Sequence, residues 1–246
     1  MNVSSVLKKA VYTELLYKDS IFTSKCKMYS FLNPYAYHLL RKNIAYFENL
    51  DGLFFDGILL CIFYRVFYGF KVTRRSFDMT TIANELFSHI CKTGETIYFI
   101  GAKDAEIDKS IFQYKKVYPK MNIIGYRNGY FTTNKERQDI IEYIVNLSPD
   151  FVIIGMGTIV QEEFIIQLKR SGFKGIGFTC GGFLHQTTND IKYFPDWSNK
   201  FNLRGFYRLF KEKNIRKRSF NTFIQFPILF IIDYFSFLFS INKKYF

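Results

Sequence analysis

No Cys-x-x-Cys pair occurs anywhere in these 246 residues. The four cysteines, Cys26, Cys61, Cys91 and Cys180, are scattered, which indicates neither a zinc site nor a disulfide framework and fits a reducing compartment. Histidine is as scarce: His38, His89 and His185 stand far apart with no carboxylate motif beside them, so no metal site is indicated. The common phosphate fingerprints are missing too. Without G-x-G-x-x-G after a strand, a dinucleotide dehydrogenase is disfavoured, and without G-x-x-x-x-G-K-[ST] an NTPase is. There is no G-x-S-x-G elbow for hydrolase chemistry. The opening MNVSSVLKKAVYTELL carries lysines but no long apolar core ahead of a small-residue cleavage site, so it does not read as a signal peptide and an intracellular location is expected. No repeat of fixed period and no low-complexity linker appears.

Acidic residues are the minority charge, 21 Asp and Glu against 34 Lys and Arg, a formal net charge of +13. That excess calls for an anionic partner: nucleic acid, acidic lipid headgroups or a phosphorylated substrate. Aromatic residues are abundant instead, 20% of the chain, with thirty Phe and a single Trp. Much of the Phe and Tyr falls near the two ends beside Lys and Arg, which suits a membrane interface, although base stacking would use the same residues. The length accommodates one α/β domain, assigned to residues 1–200, and an appendage over 201–246.

Residues Met1 to Lys27 read as a mixed leader. Met28 to Leu32 then forms a short apolar strand, Asn33-Pro34 a turn, and Tyr35 to Asn43 a helix. Gly52 to Phe55 is a second strand-like run, turned by Asp56-Gly57 into an apolar helix, Ile58 to Phe70. Asp56 is thus a carboxylate beside apolar neighbours, where it is held neutral or finds a partner. It is a candidate general base, and the plain alternative is a helix cap. The loop KVTRRSFD offers Arg74 and Arg75 as phosphate ligands ahead of a helix Met79 to Lys92, with Ser76 or Asp78 as its cap.

From Thr96 the chain alternates strand and helix. Strand Ile97 to Ile100 ends at Gly101, followed by helix Ala105 to Val117, strand Asn122 to Gly125, a turn at Asn128-Gly129 and helix Asn134 to Asn146. The stretch DFVIIGMGTIVQEE joins a strand apolar on both faces, Phe151 to Ile154, through Gly155 and Gly157 to a helix bearing Gln161 and Glu162. Gly172 then leads to strand Gly175 to Thr179 and the turn Cys180-Gly181-Gly182. The fold expected is α/β: a doubly wound, mostly parallel sheet with helices on both faces. Ligands of such sheets bind beyond the carboxyl ends of the strands, where Asn33, Asp56, Gly101, Gly129, Gly157, Gln161 and Gly182 converge. Beyond Pro195-Asp196-Trp197, Leu203 to Arg218 is basic and amphipathic. Phe223 to Ile241 is rich in Phe and Ile but interrupted by Gln225, Pro227 and Asp233, so it is expected to lie in a membrane interface rather than to span, or else to pack on its own domain.

Taken in order, Asn33-Pro34, Asp56-Gly57, Ser76-Phe77-Asp78, Ile100-Gly101, Tyr118-Pro119, Gly125, Gly129-Tyr130-Phe131, Gly155-Met156-Gly157 with Gln161-Glu162, Gly181-Gly182-Phe183, Pro195-Asp196-Trp197 and Tyr207-Arg208 resemble the WecG/TagA/CpsF glycosyltransferases, glycosyltransferase family 26. The resemblance implies inverting transfer of a hexose or N-acetylhexosamine from a UDP-sugar to a polyprenyl-diphosphate-linked sugar in surface polysaccharide biosynthesis. It places the enzyme peripherally on the cytoplasmic membrane face, with no obligatory metal or other cofactor and with self-association. It makes Asp56 the general base, Gln161 a contact of the donor sugar and Arg74 an active-site arginine. Donor binding is carried over to Asn33, Gly57, Gly101, Gly129, Tyr130, Gly157, Glu162 and Gly182, and diphosphate or membrane contact to Arg204, Arg208 and Arg218. The chain departs from the family at Ile159, where Pro is frequent, and at Phe31 beside Ser30, where a Thr precedes the Asn by two residues. A non-catalytic nucleic-acid-binding module and a degenerate structural subunit of a polysaccharide complex are the rival readings.

Overall fold

The computed structural model describes residues 3–191, 193, 195, 207 and 216–242. Six strands form one sheet: β1 Met28–Leu32, β2 Gly52–Phe55, β3 Thr96–Gly101, β4 Asn122–Arg127, β5 Phe151–Gly155 and β6 Ile176–Thr179. All pair in parallel, in the order β2-β1-β6-β5-β3-β4. Parallel strands need crossovers, and the helices that supply them cover both faces. They are α1 Val3–Ser20, α2 Pro34–Leu40, α3 Ile44–Glu48, α4 Ile58–Tyr68, α5 Ile82–Thr93, α6 Asp104–Val117, α7 Asn134–Leu147, α8 Val160–Arg170, α9 Phe183–Gln186 and, last of those described, α10 Arg216–Asn242.

The unalternating strands divide their side chains between two cores. Ile97, Phe99, Phe151, Ile153 and Phe178 point to the face covered by α5 and α6. Met28, Leu32, Tyr98, Ile100, Val152 and Ile154 point to the face carrying α1, α2, α4, α7, α8 and α10. The sheet is closely packed at its centre: Gly101 pairs with Gly155, and a Cβ on Gly101 would lie 2.3 Å from the Gly155 carbonyl oxygen.

Several boundaries differ from the sequence reading. The mixed leader is a helix: Val3, Val6, Leu7 and Ala10, spaced for one helical face, are buried against the sheet, and the Lys9 ammonium donates to the carbonyls of Glu48 and Leu50. The helix after β1 is two, because Arg41 to Asn43 turn between α2 and α3. Pro34 occupies the first position of α2, where its missing N–H costs nothing, and Asn33 Oδ1 caps the helix by accepting from the Ala36 N–H at 2.9 Å. Helix α5 begins three residues later than expected, after a turn in which Asp78 accepts from the Thr80 N–H and hydroxyl.

The tail takes the second of its two expected courses and packs on its own domain. Pro227 does not end it: Arg216–Asn242 is one helix. Phe226 and Phe230 are fully buried in the same core as the sheet, against Tyr37, Phe63, Phe67 and Tyr68. Asp233, expected to interrupt an apolar run, accepts from the Tyr37 hydroxyl at 2.7 Å and pairs with Arg41 at 2.9 Å. Its outer face still exposes Ile224, Ile228, Ile232, Phe235 and Phe239. No helix among the described residues is long and apolar enough to cross a membrane. The expected domain boundary at 200/201 and most of the basic segment Leu203 to Arg218 lie outside the described residues.

Candidate active site

The carboxyl ends of the six strands open into one crevice of about 1430 Å³. A pocket for one drug-sized ligand is roughly 300–1,000 Å³, and this crevice exceeds that range. The strand order lays out its floor: Asp56 and Gly57 follow β2, Asn33 follows β1, Gly181 and Gly182 follow β6, Met156 and Gly157 follow β5, Ala102 follows β3, and Gly129 and Tyr130 follow β4.

At the β2 end the Asp56 carboxylate is held by two donors on one oxygen. Oδ1 accepts from the Ser76 hydroxyl at 2.6 Å and from Arg74 Nη2 at 3.4 Å. Arg74 also donates to Ser76 and lies 3.8 Å from Asp78. The expectation of apolar surroundings for Asp56 is therefore corrected: its neighbours there are a guanidinium and a hydroxyl, and its side chain is 32% exposed to the crevice mouth. The adjacent pair Arg74-Arg75 is also resolved. Arg75 turns the other way, pairing with Glu14 at 3.2 Å and stacking on Tyr17 with its guanidinium carbon 3.4 Å from the ring centre.

Midway, Gln161 is buried but lines the crevice. Both ends of its amide are engaged. Oε1 accepts from the Gly181 N–H at 3.1 Å, and Nε2 donates to Glu162 Oε1 at 2.9 Å. Glu162 has no exposed surface and does not line the crevice, which corrects its expected place at the donor. It stands behind Gln161, between α8 and the sheet, accepting also from the Ser30 hydroxyl at 2.7 Å and the Ile159 N–H at 2.5 Å. Thr179 donates in turn to Ser30. Burial pushes the Glu162 carboxyl above its ordinary range, opposed by these donors. The glycine turn ahead of α8 is sharp: Gly157 has φ +84° and Ile159 φ +81°. Proline, whose ring holds φ near −65°, cannot adopt the Ile159 conformation.

Of the other anticipated residues, Asn33, Gly57, Gly129, Tyr130, Gly157 and Gly182 line the crevice. Gly101 does not; it backs the floor through its contact with Gly155. Arg204 and Arg208 lie outside the described residues, and so does the side chain of Arg218, whose backbone belongs to α10. The sequence reading missed Arg137, Lys103, His185 and Thr222, which also line the crevice. Among them His185 Nδ1 lies 2.9 Å from Glu106 Oε1. Among the described residues no three His, Cys, Asp or Glu side chains gather where they could hold a metal ion.

A doubly wound parallel sheet with a large crevice at its carboxyl edge, bearing a carboxylate fixed by arginine and serine, is the arrangement of an α/β protein with its ligand site beyond the strand ends. Comparison with known proteins narrows it. A sequence model described as the Glycosyl transferase WecG/TagA/CpsF family matches residues 7–237. A Shigella boydii protein named UDP-Gal:alpha-D-GlcNAc-diphosphoundecaprenol beta-1,4-galactosyltransferase is 33% identical over 204 residues, 83% of this chain and 85% of its own length. An N-acetylglucosaminyldiphosphoundecaprenol N-acetyl-beta-D-mannosaminyltransferase of Bacillus subtilis (strain 168) is 28% identical over 184 residues, 73% of this chain and 70% of its own. The chain belongs to the WecG/TagA/CpsF glycosyltransferase family, and the nucleic-acid-binding alternative is not favoured.

Proposed function

We propose that this enzyme transfers a hexose or N-acetylhexosamine from a UDP-sugar to a sugar carried on polyprenyl diphosphate, N-acetylglucosamine in the first instance, at a membrane surface. The observation that carries the reading is Asp56, clamped at one end of a crevice that presents Gln161 midway along it. Gln161 reaches to Gly181, at the end of a strand two places from β2. Strands stand about 4.8 Å apart, so the ends of β2 and β6 are roughly 10 Å apart along the crevice floor.

In this reading the Asp56 carboxylate takes the proton of the acceptor hydroxyl as its oxygen attacks the anomeric carbon. The bond from that carbon to the β-phosphate oxygen breaks, and UDP leaves with the electron pair. Both relatives' names print a β product. The glycosyl–phosphate bond of a UDP-hexose is α, so one displacement with inversion accounts for it. Gln161, locked by Gly181 and Glu162, contacts the donor sugar. Arg74 holds the base, and Arg208 and Arg218 take the charge of departing UDP without requiring a metal. The two relatives share an acceptor and differ in the sugar moved, which supports the acceptor assignment more than any one donor. Lipid contact is supported by large apolar side chains left exposed on and beside three neighbouring helices: Leu15 on α1, Val66 on α4 and Phe70 just beyond its end, and Phe235 and Phe239 on α10. The cytoplasmic face is where such a peripheral enzyme meets its nucleotide donor.

The test is a donor panel, led by UDP-galactose and UDP-N-acetylmannosamine, offered with N-acetylglucosaminyl-diphosphoundecaprenol in vesicles. Acceptor-dependent UDP release from one donor is expected. Release from none of the panel refutes the donor assignment, and release unaffected by excess chelator is the expected result for catalysis without a metal.

A further inference from the structure

Arg137, on the first turn of α7, carries no role in the foregoing, yet it lines the crevice with Thr132, Thr133 and Thr158. Its side chain crosses to α8, where the guanidinium carbon lies 5.6 Å from the centre of the Phe164 ring. Nη1 is 3.6 Å from Glu163 Oε1, beyond hydrogen-bond reach, so that pairing is Coulombic. Nε and Nη2 are buried with no hydrogen-bond partner. The other crevice arginine of the described body is different: Arg74 is committed to Asp56, Ser76 and Asp78. Nearby, Arg127 donates to the carbonyls of Asn128 and Tyr130 and to Glu136.

Unused N–H donors buried on a guanidinium are costly, and each calls for a partner that satisfies it, whether water, ion or ligand. The planar fork matches phosphate oxygens two at a time, and the apolar ring beneath it limits its water. Turning its terminal torsions into the crevice breaks no hydrogen bond at Nε or Nη2, since neither makes one.

We propose that Arg137 is a phosphate ligand within the α/β body, binding the diphosphate of a substrate in the crevice. This rests on the donor and acceptor reading above, because both substrates then carry a diphosphate and either could be the source. Glu163 competes for the same cation, so its removal strengthens the site.

The full-length protein and its Arg137→Gln variant are titrated calorimetrically with UDP, uridine and inorganic pyrophosphate, and the acceptor KM of each is measured. A nucleotide source predicts UDP binding weaker by roughly 10- to 100-fold with uridine changed less than about twofold. A lipid-acceptor source predicts unchanged UDP and an acceptor KM raised by a like factor. Arg137→Lys restores only part of the loss, because an ammonium cannot form the fork. Should Arg137→Gln melt early, Glu163→Gln carries the test by binding the same substrate roughly two- to fivefold more tightly. UDP, pyrophosphate and acceptor values all within twofold of wild type in both variants overturn the proposal alone. If the wild type binds no UDP, the donor reading falls and the nucleotide source with it, and the acceptor KM of Arg137→Gln alone then decides the proposal.

Discussion

Replacing Asp56 by Asn separates chemistry from architecture at this site. The amide keeps an oxygen where Ser76 now donates at 2.6 Å, and Arg74 keeps Ser76 and, at 3.8 Å, Asp78. What disappears is a negative charge able to receive a proton. Because the Asp56–Arg74 contact is 3.4 Å long and a third exposed, its loss is worth about 1 kcal/mol or less. In a protein of this size that lowers Tm by roughly 2–4 °C. Loss of a positioned base costs about 10²- to 10⁴-fold in rate, or roughly 3–5 kcal/mol of barrier. The expected outcome is therefore a nearly dead enzyme that melts almost normally and binds UDP within about twofold of wild type. Acceptor-dependent UDP release gives the rate, calorimetry the affinity and scanning fluorimetry the Tm. A kcat within fivefold of wild type removes Asp56 from the proton transfer, and a collapse of UDP binding alongside the rate would make it a donor ligand instead.

Glu162→Gln tests the buried carboxyl. Its folded pKa is raised, so the native state holds the proton more tightly than the unfolded chain. Stability is then greatest below the unfolded value near 4.3 and declines as pH rises from there through the folded value. The variant should lose that part of the pH dependence of Tm, measured between pH 4 and 8; a parallel profile in both proteins contradicts a raised pKa. Phe230→Ala empties a fully buried site beneath α10 and should cost about 3–5 kcal/mol, with α10 cleaved faster in limited proteolysis, whereas Ile232→Ala on the exposed face should change stability by no more than about 0.5 kcal/mol. Equal proteolysis rates in the two would show that the buried face does not hold the tail.

The strands were legible because a chain covered on both faces writes itself as unbroken apolar runs, such as Phe151 to Ile154, and the glycines after them mark where the crevice opens. Helix α1 was not, because Lys8 and Lys9 interrupt a buried face whose period is plain only when Val3, Val6, Leu7 and Ala10 are placed on a helix. Neighbouring positions defeat a linear reading for a geometric reason. Residues adjacent on a helix point about 100° apart, so of Gln161 and Glu162 only one faces the crevice; Arg74 and Arg75, in the loop before α5, turn to opposite partners that only the fold brings there. Arg137 left no local signal at all, since its environment is made by Glu163 and Phe164, distant along the chain.

Helix α2 has a mechanical consequence. It is seven residues long, about 10 Å, and too short to flex. One end is the Asn33 cap on the crevice rim; Tyr37 at its middle and Arg41 at its far end grip Asp233 of α10. Rim and tail are thus two ends of a single strut. The contacts that seat α10 and the cap that stands at the rim are therefore carried by one short element, so loosening the grip on Asp233 is expected to be felt at Asn33.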